Sequence, residues 1–383
     1  MTLKLSFYLS LFCIVTPATA QNLYFPPTDA TNEWETISPA TLGWCQDSID
    51  ALYDFLAASQ TKSFVILKDG KIVLEEYFGT FVQDSIWPWF SAGKSLRSLL
   101  VGIAQEEGFL DIHDRTSDYL GQGWSNLPPE QEDSITVWHQ LTMTAGLNEL
   151  FFDCITPECL TYRADAGTRW AYHNGPYNLL KDVLETTTGS TQNALTNNWV
   201  EQKIGMSNGF WFASGNNTFY LSKARDMARF GLLMQNRGWW GNTAVLADTA
   251  YYHAMISPSQ GLNPSYGYLW WLNGQERHIG PGLPITVNTS LAPDAPSDVY
   301  TAAGRQGQFI SIAPSAGLIM IRQGLLDDDS FVPIPYHNEI WRRIDRLECI
   351  STAVEDDNLA PAQVYPNPTY GEITIGGLNA FIK

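Results

Sequence analysis

The sequence predicts an α+β fold, a mainly antiparallel sheet flanked by helices with a helical subdomain set between its strands. Apolar runs of strand length lie towards both ends of the chain, a long helix-patterned middle separates them, and the strand–helix alternation that builds parallel sheets is scarce. The material suffices, since 383 residues with 44% apolar and 13% aromatic side chains can bury a large core.

Taken in order, residues 41–59 carry Leu42, Ile49, Leu52, Phe55 and Leu56 at helical spacing. Phe64-Val65-Ile66-Leu67 and Ile72-Val73-Leu74, parted by Lys68-Asp69-Gly70-Lys71, read as a tight hairpin. Residues 91–108 form a second helix whose apolar face is Leu96, Leu99, Leu100 and Ile103. Further helices are expected over 136–143, 174–188, 190–203, 221–235 and 335–347, and strands over 266–272, 308–313 and 318–322.

The termini read differently. Lys4, the apolar run 5–16 and the small-x-small end Ala18-Thr19-Ala20 have the form of a signal peptide over 1–20, too short to span a bilayer. Export permits disulfides, and the four cysteines left after removal of Cys13 (Cys45, Cys154, Cys159 and Cys349) allow three connectivities. Cys154 and Cys159 are close enough to close a small loop, and a Cys45–Cys349 bridge would tie the two ends together.

Charge excludes one class of partner. Against 22 Lys and Arg stand 40 Asp and Glu, a net of −18, the wrong sign for a phosphate backbone or an anionic membrane. The six histidines are scattered without the i, i+4 pairing of a zinc helix, and Asp327-Asp328-Asp329 resembles a calcium loop only in composition. No metal and no cofactor is expected.

Three serine motifs compete for nucleophilic chemistry. Gly205-Met206-Ser207-Asn208-Gly209 spells a nucleophile elbow but follows a helix rather than a strand, and Ser59-Gln60-Thr61-Lys62 runs from a helix end into a strand, where i and i+3 do not share a face. Ser91-Ala92-Gly93-Lys94 opens a helix, so the Lys94 amine can reach the Ser91 hydroxyl near the positive end of the helix dipole. Downstream, Tyr172-His173-Asn174 opens the helix 174–188, and a tyrosine aimed at a serine–lysine pair can shuttle a proton. Tyr336-His337-Asn338 and Tyr365-Pro366-Asn367 repeat the spelling beyond the last core strand and read as structural.

With these residues in place, the stretch from Leu42 to Leu347 resembles the serine β-lactamase-like superfamily, in particular its class C, esterase and 6-aminohexanoate-dimer-hydrolase branch. Phe90-Ser91-Ala92-Gly93-Lys94-Ser95, the segment Leu141-Thr142-Met143-Thr144-Ala145-Gly146-Leu147, and Trp170-Ala171-Tyr172-His173-Asn174 all resemble its signatures. The resemblance implies a β-lactamase/DD-peptidase-like fold. It also implies Ser91 as nucleophile, Lys94 as proton acceptor or tuner, Tyr172 as general base and Asn174 as a substrate-side donor. Where penicillin-processing members carry K-T-G or H-x-G, this chain has Ala302-Ala303-Gly304, so the cation for a β-lactam carboxylate is missing. Gly304 would let substrate lie against the strand, and the N–H groups of Ser91 and Arg305 would hold the oxyanion, each such donor being worth roughly 3 to 4 kcal/mol. His278-Ile279-Gly280 also spells H-x-G, but among turn residues.

The tail from Pro361 to Ile375 resembles the opening of a type IX secretion C-terminal sorting domain, here truncated. The organisation expected is a signal peptide over 1–20, a hydrolase domain over 21–350, a linker over 351–361 and the truncated sorting domain over 362–383. The protein so read is exported to the periplasm, cell surface or exterior. It is a monomer that cleaves a small-molecule ester or amide through an acyl-enzyme, with no nucleic-acid partner and no membrane span. A β-lactamase or D-amino-acid peptidase on cell-wall fragments, and a non-catalytic ligand-binding relative, are the alternatives.

Overall fold

The computed structural model describes residues 23–29, 33–328 and 330–349, together with the antiparallel strand pair Gln363–Pro366 and Ile373–Gly376. The expected signal peptide and linker lie outside the described residues, as does the tail apart from that pair.

A six-stranded antiparallel sheet gathers both ends of the described chain, as the sequence led us to expect. Its strands are β1 (Thr61–Lys68), β2 (Lys71–Tyr77), β6 (Trp271–Leu272), β7 (Tyr300–Gly304), β8 (Gln308–Ala313) and β9 (Leu318–Gly324), in the order β2-β1-β9-β8-β7-β6. A second sheet joins β3 (Trp87–Pro88), β5 (Asn217–Ser222) and β4 (Phe210–Ser214) in that order. The β1–β2 hairpin turns through Asp69 and Gly70, both at positive φ.

Helices cover both faces of the main sheet. On one side lies α4 (Ala224–Gln235), where a Cβ at Gly231 would stand 2.8 Å from Ile319 and 3.2 Å from Ile310, so glycine permits the close approach. On the other lie α1 (Gln46–Ala58) and α5 (Ile334–Ile344), whose His337 meets Phe309 and Ser311. Double coverage explains why Phe64, Val65, Ile66 and Leu67 run without polar alternation and are all buried. The disulfide Cys45–Cys349 ties the segments before α1 and after α5. Cys154–Cys159 closes the small loop.

Between the hairpin and the later strands come α2 (Gly93–Glu106) and α3 (Asn174–Thr188), which pack on each other. Twelve of the 14 residues of α2 are buried, making it the central helix of the molecule.

Several element boundaries differ from expectation for local reasons. The first helix begins at Gln46, not 41, because a 3-10 turn over Pro39–Leu42 ends at Gly43 with φ of 72°. Leu221 and Ser222 belong to β5, and α4 starts after Lys223, whose N–H donates to the Asp226 carboxylate. The stretch 190–203 is interrupted by a π turn at Asn197–Glu201. Of 266–272 only Trp271–Leu272 is strand, because Leu269 takes φ of 61° to accept from Ser95 Oγ and donate to Leu141 O. His278–Ile279 is a two-residue strand paired with Thr286–Val287, not a turn.

Candidate active site

Ser91 sits in a 3-10 turn, Phe90–Ala92, that runs directly into α2. The turn is pinned from behind by Trp89, fully buried, whose N–H donates to Tyr220 O and whose Nε1 donates to Ser222 Oγ at 2.9 Å. Phe90 is held at φ of 48°, an uncommon conformation for a bulky residue that persists only where surrounding contacts impose it. Helical spacing then brings Lys94 back over the turn, and its Nζ donates to Ser91 Oγ at 3.0 Å.

The segment Leu141–Leu147 presents the phenol. Met143 O accepts from Ala171 N at 3.0 Å and Thr144 O from Gly167 N at 2.8 Å, fixing the extended run that leads to Tyr172. Tyr172 is buried between Phe152 and Trp271, stacked on both, with the Lys94 ammonium position 5.1 Å from its ring centre. Its hydroxyl makes no hydrogen bond of regular geometry, yet Ser91 is near enough to draw its pKa down against the opposing effect of burial. Asn174, the first residue of α3, donates from Nδ2 to Asp153 Oδ1 at 2.8 Å, while its Oδ1 is buried without a partner.

β7 closes the site. Along β7, β6 pairs with Tyr300 and Thr301, so Ala302, Ala303 and Gly304 run on past its end towards the Phe90–Ala92 turn. Gly304 touches that turn, and a Cβ there would lie 3.1 Å from Ser91 N. Arg305 follows immediately and is exposed, and the next residue, Gln306, takes φ of 60°. Ser91, Asn174, Asp153, Phe152 and Arg305 line a common cleft of about 330 Å³. All six residues selected from the sequence are thus brought to one place.

Burial shifts the proton affinity of both groups. Enclosure pushes the Lys94 ammonium well below the usual lysine range; the charge of Arg97 adds to this and that of Asp153 opposes it. The same enclosure pushes the Tyr172 phenol up. An uncharged amine beside a hydroxyl is a competent proton acceptor, and a protonated phenol is a competent donor.

Three contributors escaped the sequence reading. Tyr177 lies 4.2 Å from Lys94 Nζ through its ring, and Asp153 holds Asn174. Arg97, fully buried, packs its guanidinium between Tyr177 and Trp211 and bonds Gln192 and Thr218. Its position three residues after Lys94 on α2 was a usable signal; no pattern marked the other two. The decoys are structural, Ser59 bonding Phe55 O and Tyr336 and Ser207 N bonding Asp226. His337 is buried beneath the sheet, bonded to Ser311 and Trp341. Among the described residues no cluster of His, Cys, Asp or Glu could hold a metal ion, and no helix is long and apolar enough to cross a membrane.

The Beta-lactamase family model matches residues 54–322 of this chain. A 6-aminohexanoate-dimer hydrolase of Paenarthrobacter ureafaciens is 23% identical over 315 residues, spanning 68% of this chain and 77% of its own length. A Bacillus anthracis structure provisionally assigned as a 6-aminohexanoate-dimer hydrolase superposes with a TM-score of 0.63 at 16% identity, covering 82% of this chain and 87% of that one. A family VIII carboxylesterase superposes with a TM-score of 0.56 at 17% identity, covering 79% and 98%. At these identities the two superpositions speak for the shared fold.

Proposed function

The chain belongs to the Beta-lactamase family of hydrolases, and from that premise we propose that it is an exported serine hydrolase that cleaves an ester or amide through an acyl-enzyme on Ser91. The observation that carries the reading is the 3.0 Å hydrogen bond from a buried, pKa-depressed Lys94 to a hydroxyl that opens onto a cleft.

In the proposed sequence the Lys94 amine takes the Ser91 proton as Oγ attacks the carbonyl carbon. The tetrahedral oxyanion rests on the N–H groups of Ser91 and Arg305, beside the side-chain-free surface of Gly304. Tyr172, expected from the sequence as general base, acts in this scheme as the acid, because burial raises its pKa: adjacent to Ser91, it passes its proton to the leaving group and regains one by way of Lys94. Water then attacks the acyl carbon by the same route in reverse. Asn174, fixed by Asp153, hydrogen-bonds the substrate on the far side of the cleft.

Esters and linear amides rank ahead of penicillins and cell-wall peptides because the position that would carry the carboxylate-binding cation is the fully buried methyl of Ala302. The name of the 6-aminohexanoate-dimer hydrolase relative points the same way. Turnover of nitrophenyl esters compared with a chromogenic cephalosporin tests this ranking: faster cephalosporin cleavage would reverse it. A fluorophosphonate probe separates enzyme from ligand-binding relative, the latter giving no adduct.

A further inference from the structure

The second sheet carries an apolar surface that the proposed chemistry leaves unused. In β4 and β5 the directly opposed pairs are Phe210 with Leu221, Trp211 with Tyr220, Phe212 with Phe219, Ala213 with Thr218 and Ser214 with Asn217. Opposed residues share a face and successive residues alternate. Trp211 and Tyr220 are buried on the inner face. The outer face therefore consists of Phe210 and Leu221, then Phe212 and Phe219, then Ser214 and Asn217, with Pro88 of β3 alongside Leu221. Phe210 is 41% exposed and Phe212 54% exposed, and no residue of this face is charged in a chain of net charge −18.

One end of this strip enters the cleft. Ser214, Asn217 and Phe219 line the same cavity as Ser91, and Phe219 packs edge-on to Phe90 at 5.5 Å. The rows are two residues apart, so three rows extend over about 13 Å from the cleft outward. Monomeric proteins seldom leave contiguous aromatic surface open without use. Its continuity with the cavity of Ser91 identifies the occupant better than any separate partner would.

We propose that this face of β4 and β5 is a binding strip for an extended, uncharged apolar arm of the substrate, so that the natural substrates are esters or amides carrying a medium-length alkyl or aryl-alkyl chain beside the scissile bond. The inference rests on the hydrolase reading of Ser91. The strip is one-sided, so each methylene laid along it contributes part of the roughly fourfold that complete burial gives.

The test uses two ester series on the whole protein: nitrophenyl esters from acetate to decanoate, which lengthen the acyl side, and acetates of ethanol to decanol, which lengthen the alcohol side. The expected result is a kcat/KM that climbs at least tenfold along one series. In Phe212→Ser and Phe210→Ser the long-to-short ratio should fall at least fivefold, with thermal midpoints close to wild type because both positions face solvent. The responding series tells which side of the bond the strip holds. Flat dependence in both series, or ratios unmoved by either substitution, overturns the inference while leaving the hydrolase reading intact if acetates are still cleaved. Should neither series be cleaved, that reading fails separately. Displacement of 1-anilinonaphthalene-8-sulfonate by decan-1-ol then decides: displacement from wild type but not from Phe212→Ser supports the strip, and equal displacement overturns it.

Discussion

Gly304 backs onto Ser91 so closely that a β-carbon at position 304 would stand 3.1 Å from the Ser91 amide nitrogen, 3.0 Å from that of Ala92 and 2.4 Å from the Trp89 carbonyl oxygen. The φ of Gly304 is −133°, open to any residue, so the requirement for glycine is one of space alone. Gly304→Ala must therefore push β7 away from the nucleophile turn, and with it the Arg305 N–H proposed for the oxyanion. We expect kcat/KM to fall roughly 100-fold or more, the scale of losing one oxyanion donor, with a small change in thermal midpoint. Near-wild-type turnover would show that the second oxyanion donor lies elsewhere.

Lys94 gives a pH signature. Its amine acts uncharged and its pKa is depressed by burial, so kcat/KM should rise with pH to a plateau reached below the ordinary lysine range. Lys94→Met should lose on the order of 1,000-fold in activity. The sign for stability is the same: an unfolded lysine holds its proton across a pH window in which the folded one has lost it, so wild-type stability climbs with pH through that window. The Met variant lacks this climb, and its advantage should shrink as pH is raised in urea titrations.

Tyr172→Phe separates chemistry from folding. The hydroxyl contributes no regular hydrogen bond, and the ring stack on Phe152 and Trp271 survives the change. Stability should stay within about 0.5 kcal/mol of wild type, whereas kcat should drop roughly 100- to 10,000-fold. Equal turnover by both proteins would remove the phenol from the proton path.

His337 should contribute to the loss of stability in acid. Buried beneath β8, it accepts from Trp341 Nε1 at 3.1 Å, and its pKa is pushed down from 6.5 to about 3. The unfolded ring binds a proton between those values and the folded ring does not, so stability is lost as pH falls through that range. His337→Gln, which keeps an acceptor, should lose about 2–3 kcal/mol less than wild type between pH 7 and pH 4.5 by urea denaturation. Asp226, whose pKa burial raises to about 7, acts with the opposite sign in both proteins and cancels in the comparison.

What the sequence revealed tracks local periodicity. The helix Asn174–Thr188 and the strand Gln308–Ala313 were predicted to the residue because their apolar spacing is regular. The β4–β5 hairpin was missed because Phe210, Trp211 and Phe212 are aromatic on both faces, and exposure alone tells the faces apart. Tyr300–Gly304 is a weak strand by composition, and only its likeness to a family motif located it. Ser91, Lys94, Tyr172 and Asn174 were legible because two sit at helical spacing and two open a helix. Asp153 and Tyr177 join the site through tertiary contacts that no spacing encodes, and so does the burial that tunes Lys94.

The central claim is that Ser91 carries the acyl group, and peptide mapping by mass spectrometry after rapid acid quench of turnover with a nitrophenyl ester tests it most directly. The account predicts an acyl adduct on the peptide holding Ser91 in the wild type and none in Ser91→Ala. An adduct on another residue, or equal acylation of both proteins, would contradict it.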